Sequence, residues 1–360
     1  MSVTPLPNIL AIEPYKGGES RLPGIEKPIK LASNENPLGC SPAAKAAMIA
    51  AAEKLALYPD GSAAALREAI AGRYGIDASR VVCGAGSDEI FQLLARAFLA
   101  PGDEIIQSQY AFLVYRLVAQ QSGAITLSAP DKDFTVDVDA MLALVTPRTK
   151  IVFIANPNNP TGTYVPYADL RRLQAGLPSH VLLVIDAAYA EYVDANDYSS
   201  GLEMAGEHAN VLMTRTFSKI HGLAALRLGW AYGPASVIDA LHKVRGPFNV
   251  NAPALAAGVA ALADHAFADQ SARVNADERA RVTAGLTALG YHVTPSVCNF
   301  VLVHFASGQA ALADAFLRSQ GLIVRAMGAY GLKDALRLSI GAPTENDALL
   351  AAMRGFAAQS

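Results

Sequence analysis

The 360-residue sequence predicts an α/β protein: a large domain on a mostly parallel central sheet, followed by a smaller α+β domain. Three observations carry this expectation. Short apolar runs recur between helix-forming blocks, the pattern of strands buried on both faces of a parallel sheet. With 52% hydrophobic and 17% charged residues, the chain can bury a large core and lacks the composition of a disordered protein. Beyond about residue 245 the helical blocks lengthen and strand candidates thin out, which signals a change of architecture.

In chain order, residues 1–35 are rich in Pro and Gly, show little periodicity, and read as an arm that packs on the small domain or on a dimer partner. SPAAKAAMIAAAEKLAL (41–57) is Ala-rich and helical, and RVVCGAG (80–86) is an apolar run ending in glycines. SDEIFQLLARAFLA (87–100) reads as a helix with Ser87 and Asp88 as capping candidates. EIIQ (104–107), AITLS (124–128), KIVFIANP (150–157) and VLLVIDAAY (181–189) read as buried strands. NFVLVHF (299–305) and ALRLSIG (335–341) are late strand candidates, with GLIVRA (321–326) between them. The expected division is an arm over 1–35, a large domain over 36–245 and a small one over 246–360.

The net charge of -3 argues against a nucleic-acid binder, which would carry a basic stripe, and favours a small-molecule partner. Cys40, Cys83 and Cys298 form no Cys-x-x-Cys pair, so neither a disulfide framework nor a metal site is expected and a reducing cytoplasm fits. The N-terminus shows no signal-peptide pattern, and no apolar run is long enough to span a bilayer.

Three segments carry chemistry. NPNNPTG (156–162) stops a strand with two prolines and a glycine, which aims Asn159 into the crevice where α/β sheets bind ligands; an ordinary turn would look similar. VLLVIDAAYAEY (181–192) ends a buried strand in Asp186, with Tyr189 three residues on. A carboxylate at that depth needs a partner, and a protonated pyridine nitrogen is one; a helix cap or a metal is the alternative, though no ligand-spaced His or carboxylate lies nearby. In TRTFSKIHGLAALRLGW (214–230), a poorly hydrated Lys219 would have a lowered pKa suited to Schiff-base formation. Thr216, Ser218 and Arg227 are groups that hold a phosphate. A lone Ser-Lys is usually a surface pair, so the order Asn159, Asp186, Tyr189, Lys219, Arg227 carries the weight.

These segments resemble the fold-type I aminotransferases that use pyridoxal phosphate (PLP), and among them the histidinol-phosphate aminotransferases. The resemblance rests on LASNENPLG (31–39), YPDG (58–61), GAGSDE (84–89), NNPTG (158–162), Asp186-x-x-Tyr189, RTFSKIHGLAALRLGW (215–230) and LRLSIG (336–341), and spans nearly the whole chain. It implies that Lys219 forms the Schiff base with the cofactor and then moves the substrate's proton. Asp186 would pair with the pyridine nitrogen, Tyr189 and Asn159 with the phenolic oxygen, and Tyr110 would stack on the ring. The phosphate would sit on the N–H groups of Ser87 and Asp88, helped by Thr216, Ser218 and Arg227. Tyr58 would reach the cofactor phosphate of a second subunit, which implies a homodimer with shared sites.

For substrate, the resemblance implies Arg337 and Arg325 as anion clamps, with Asn34 and the arm residue Tyr15 in support, and 2-oxoglutarate as the amino acceptor. An aromatic amino-acid aminotransferase, a threonine-phosphate decarboxylase-like enzyme and a non-catalytic PLP-binding regulatory domain are the alternatives. Ala187 stands where the family usually has a glutamate, and AMGAYGL after Arg325 departs from the family's usual proline or acidic residue. His221 is expected to pack rather than to transfer protons.

Overall fold

The computed structural model describes residues 3–15 and 17–359. Thirteen strands appear among them: β1 Ile29–Lys30, β2 Val81–Gly84, β3 Glu104–Ser108, β4 Ile125–Ala129, β5 Thr149–Ala155, β6 Leu182–Asp186, β7 Val211–Thr216, β8 Gly229–Tyr232, β9 His292–Thr294, β10 Phe300–His304, β11 Leu322–Ile323, β12 Arg325–Ala326 and β13 Ala335–Ser339. The large sheet has the order β2-β8-β7-β6-β5-β3-β4. Only β8 runs against its neighbours.

The apolar runs become strands because both sides of the sheet are covered. In β5, Ile151, Phe153 and Ala155 feed one core while Val152 and Ile154 feed the other. β6 divides the same way, with Leu182 and Val184 on one side and Leu183 and Ile185 on the other. Full burial of each such aliphatic side chain contributes about 1.5–3 kcal/mol, enough to override the weak local preferences of short segments.

Two strands of this sheet lie outside the expected set, β7 and β8. Since β5, β6 and β7 are mutually parallel, Asn156, Asp186 and Thr216 emerge at one edge of the sheet. That is where the connections must turn and where ligands are received.

The second sheet is antiparallel, β12-β13-β10-β9. Its registers put Arg325 directly opposite Arg337. β1 pairs in parallel with β11, Leu31 continues that pairing, and the Ser339 N–H donates to the Leu31 carbonyl at 2.9 Å. The arm is thereby tied to the C-terminal sheet, so that Ala32, Ser33 and Asn34 enter the crevice between the two sheets.

The helix Ala252–Ala263 packs on the helices Pro42–Ala52 and Ala64–Tyr74, although it follows residue 245. The chain crosses to the C-terminal sheet along the next helix, His265–Ala288, which touches Ala190–Tyr192 as well as β9 and β10. No helix among the described residues is long and apolar enough to cross a membrane.

Candidate active site

The floor of the crevice is the end of β6. Asp186 is 5% exposed there, and both of its side-chain partners are neutral hydroxyls: Tyr115 donates to Oδ2 at 2.6 Å and Thr214 to Oδ1 at 3.3 Å. Burial pushes the carboxyl up to about 6, and the Tyr115 hydrogen bond opposes that rise. A buried carboxylate so placed fits the nitrogen of a protonated heterocycle.

Three residues on, the Tyr189 hydroxyl accepts a hydrogen bond from Asn34 Nδ2 at 2.9 Å, and Asn34 Oδ1 in turn accepts from Ser339 Oγ at 3.0 Å. Asn34 has φ +57°, a left-handed turn that asparagine tolerates better than most residues. Its side chain thus links the large sheet, the arm and the C-terminal sheet. Asn159, in the turn after β5, accepts through Oδ1 from Arg337 Nη1, while Arg337 Nη2 donates to the Ala32 carbonyl at 2.9 Å. The Arg337 guanidinium is buried over the Phe300 ring, and its Nε has no partner among the described residues. An unpaired donor at that depth points to an anion.

Lys219 follows β7, and its Nζ donates to the Ser33 carbonyl at 3.1 Å. Burial, reinforced by the Arg337 cation, lowers its ammonium to about 8. A lowered pKa exposes the neutral, nucleophilic amine at milder pH. Labelling of the apoprotein with PLP and borohydride at increasing pH is therefore expected to modify Lys219 with a midpoint near 8. Exposed lysines would follow about two units higher, as peptide mass spectrometry of the digests would report.

Between these groups and solvent lies a cradle. The helix Ser87–Phe98 has Gly86 at its N-cap, with φ +83° and no side-chain cap. A Cβ at Gly86 would come within 2.4 Å of Arg227 Nη2, and one at Gly229 within 2.5 Å of the Ser87 nitrogen. Ser87 and Asp88 therefore do not cap the helix as expected; they form its first turn, and the N-terminal N–H groups lack a side-chain acceptor. Thr216 and Ser218 line the same end, and Arg227 donates to Ser218 Oγ at 3.4 Å while pairing with Asp88 at 3.1 Å. Both members of that ion pair are nearly half exposed, so it is weak and can yield to a phosphate.

Tyr110 is not brought to the cavity. Gln109 and Tyr110 form a turn, and the Tyr110 ring stacks on Phe134 at 5.8 Å, within an apolar cluster that includes Tyr330. Phe112, immediately before the helix Leu113–Gln121, lines the cavity instead. Tyr58 is 83% exposed, stacks on Phe248 at 4.7 Å and lines no part of the cavity. Tyr15 and Arg325 stand at its rim, where a second pocket lined by Glu13 and Arg116 adjoins.

His221 is buried against Phe217, its Nδ1 has no partner among the described residues, and it is not a lining residue. Ala187 is fully buried in the large core. Glu191 instead supplies the local acid, pairing with the buried Arg215 at 2.8 Å. Phe112 and Tyr115 were not among the candidates read from the sequence. Their three-residue spacing in FLVY at a helix start was the available signal.

The family model "Aminotransferase class I and II" matches residues 26–353. Histidinol-phosphate aminotransferase of Maricaulis maris is 58% identical over 359 residues, covering 99% of either chain. That of Paramagnetospirillum magneticum is 53% identical over 355 residues, covering 98% of either chain. Among solved structures, histidinol-phosphate aminotransferase of Sinorhizobium meliloti in complex with pyridoxal-5'-phosphate superposes with a TM-score of 0.90 at 26% identity, covering 98% of this chain and 97% of that one. Thermus thermophilus aspartate aminotransferase with maleate shares the fold, with a TM-score of 0.82 at 24% identity over 92% of this chain and 91% of that one.

Proposed function

Because this chain belongs to the class I and II aminotransferase family, as a PLP-dependent enzyme of fold type I, we propose that it transfers the amino group of histidinol phosphate to 2-oxoglutarate in histidine biosynthesis. One observation carries the substrate reading: Arg325 and Arg337 are cross-strand partners that both line the cavity. Like charges directly opposite on a sheet repel, and a shared anion offsets that cost. Histidinol phosphate offers a phosphate there and 2-oxoglutarate a carboxylate, so one pair of cations serves both half-reactions. The names of the relatives point the same way.

When bound, PLP supplies an aldehyde carbon that amines attack and a protonated ring that withdraws electron density. The chain's own residues supply the rest. Asp186 would pair with the ring nitrogen, and Phe112, in place of the expected Tyr110, would cover a ring face. Tyr189 and Asn159 would bond the phenolic oxygen; Asn159 spends its carbonyl oxygen on Arg337, so its amide N–H is the end that would donate. Ser87, Asp88, Thr216, Ser218 and Arg227 hold the phosphate. Lys219, whose amine is about half neutral near pH 8 and increasingly so above it, is the nucleophile that anchors the cofactor and the base that takes the substrate's Cα proton. Asn34 orients Tyr189, and Tyr15 reaches the substrate phosphate from the arm.

The working unit in this reading is a homodimer in the cytoplasm. Leu55, Leu57, Tyr58 and Phe248 are exposed apolar side chains, with Tyr58 stacked on Phe248, suited to a second copy through which Tyr58 would reach the neighbour's cofactor phosphate. The division into an arm over 1–35 and domains over 36–245 and 246–360 belongs to the same proposal, although the helix Ala252–Ala263 packs into the core of the large domain. The test is a substrate panel followed by cofactor absorbance. Histidinol phosphate should convert the bound cofactor to its amino form at least tenfold faster than phenylalanine or tyrosine. Faster conversion by an aromatic amino acid, or release of carbon dioxide from threonine phosphate, would overturn the assignment.

A further inference from the structure

Tyr115 lies behind the cavity wall, fully buried, in the first turn of the helix Leu113–Gln121. Its ring is held on three sides: stacked on Phe153 at 4.7 Å and 5°, and edge-on to Phe91 at 5.1 Å and to Phe112 at 5.7 Å. The hydroxyl cannot swing away without breaking that packing, and it points at Asp186 Oδ2, 2.6 Å distant. Burial and the neighbouring carboxylate hold the phenol well above its usual range, so it stays protonated and is the donor toward the carboxylate oxygen.

Packing alone does not explain this residue. A phenylalanine would fill the same space between Phe91 and Phe153 and would avoid burying a hydroxyl, which is costly unless it is bonded. The hydroxyl is used on one atom, the carboxylate oxygen at the end of β6. A hydrogen bond donated to a charged carboxylate favours the charged form and fixes its plane.

We propose that Tyr115 is a positioning residue which, by donating its O–H to Asp186 Oδ2, keeps that carboxylate charged and turned toward the ring nitrogen of PLP. Phe112 and Tyr115 then act as one device at the start of a single helix. Phe112 meets the ring face and Tyr115 sets the acid at its edge. Without the hydroxyl, burial is opposed by one fewer hydrogen bond, and a larger share of the apoprotein holds a neutral carboxyl that cannot pair with a protonated ring.

This inference rests on Asp186 facing the ring nitrogen, and the experiment separates the two. Binding of PLP and of its 1-deaza analogue, with CH in place of the ring nitrogen, is measured by absorbance on the native apoprotein and on Tyr115→Phe. The native protein should prefer PLP. Tyr115→Phe should cut that preference roughly tenfold, the scale of a hydrogen bond to a charged group, with affinity for the deaza analogue unchanged. Equal weakening of both ligands would mark a merely structural role and overturn the proposal, as would an unchanged preference. Asp186→Asn should abolish the preference altogether; if it does not, the Asp186 assignment fails independently of Tyr115. Should Tyr115→Phe fail to fold, Phe153→Leu keeps the hydroxyl but unlocks the ring. It is expected to lower the preference part of the way, and no change there overturns the proposal.

Discussion

Lys219→Ala is expected to lower the turnover of histidinol phosphate by roughly 10³–10⁴-fold, the full contribution of a positioned proton-transfer group, with the loss of covalent anchoring added. No other lysine and no histidine among the described residues lines the cavity: Nζ of Lys219 is drawn to about 8 by burial and by the Arg337 cation, while His221 is not a cavity-lining residue. The variant should still bind PLP through the phosphate cradle but release it on dialysis, and the visible absorption of the covalently held cofactor should be missing. A Lys219→Ala protein with that band unchanged would rule out the assignment. Activity should fall in both half-reactions, since the same amine moves the proton in each direction.

Arg337→Gln is expected to reduce kcat/KM by roughly 10²–10³ for histidinol phosphate and for 2-oxoglutarate alike, the scale of removing one partner from a buried charge pair. The side chain is 5% exposed, aligned by Phe300, Asn159 and the Ala32 carbonyl, and keeps one donor unpaired. Glutamine removes the cation and the fork that grips an anion through two oxygens. A thermal melt of the apoprotein would separate lost folding stability from lost binding, because the substitution also strips a partner from Asn159. A drop confined to the 2-oxoglutarate half-reaction would show that the two anions do not share Arg337.

The strands β3, β5 and β6 were legible because both their faces are buried, which writes an unbroken apolar run into the sequence. β7 and β8 were not. VLMTRT ends in polar residues, of which Thr214 and Thr216 serve the crevice while Arg215 pairs with Glu191 behind it, and GWAY is a four-residue strand opened by the glycine that must lie against the Ser87 nitrogen. Ser87 and Asp88 look like caps by residue type, yet the cap position falls to Gly86, whose φ of +83° is a backbone conformation that side-chain-bearing residues rarely adopt. Nor could local pattern choose between Tyr110 and Phe112. Which of two aromatics two residues apart enters a cavity depends on the turn between them and on what each meets: for Tyr110, Phe134; for Phe112, Tyr115.

By itself the sequence determined the chemistry of the centre, because Asn159, Asp186, Tyr189, Lys219 and Arg227 are residue types whose order along a βα chain places them at one sheet edge. Burial then supplies the pKa shifts that the chemistry needs. Tertiary structure alone decided which aromatic lines the cavity, that Tyr115 holds Asp186, and that Arg325 stands opposite Arg337. Each of these depends on register or side-chain direction between segments far apart in the chain. A one-residue slip in β12 against β13 would turn Arg325 to the other face of the sheet, with no change in the sequence of either strand.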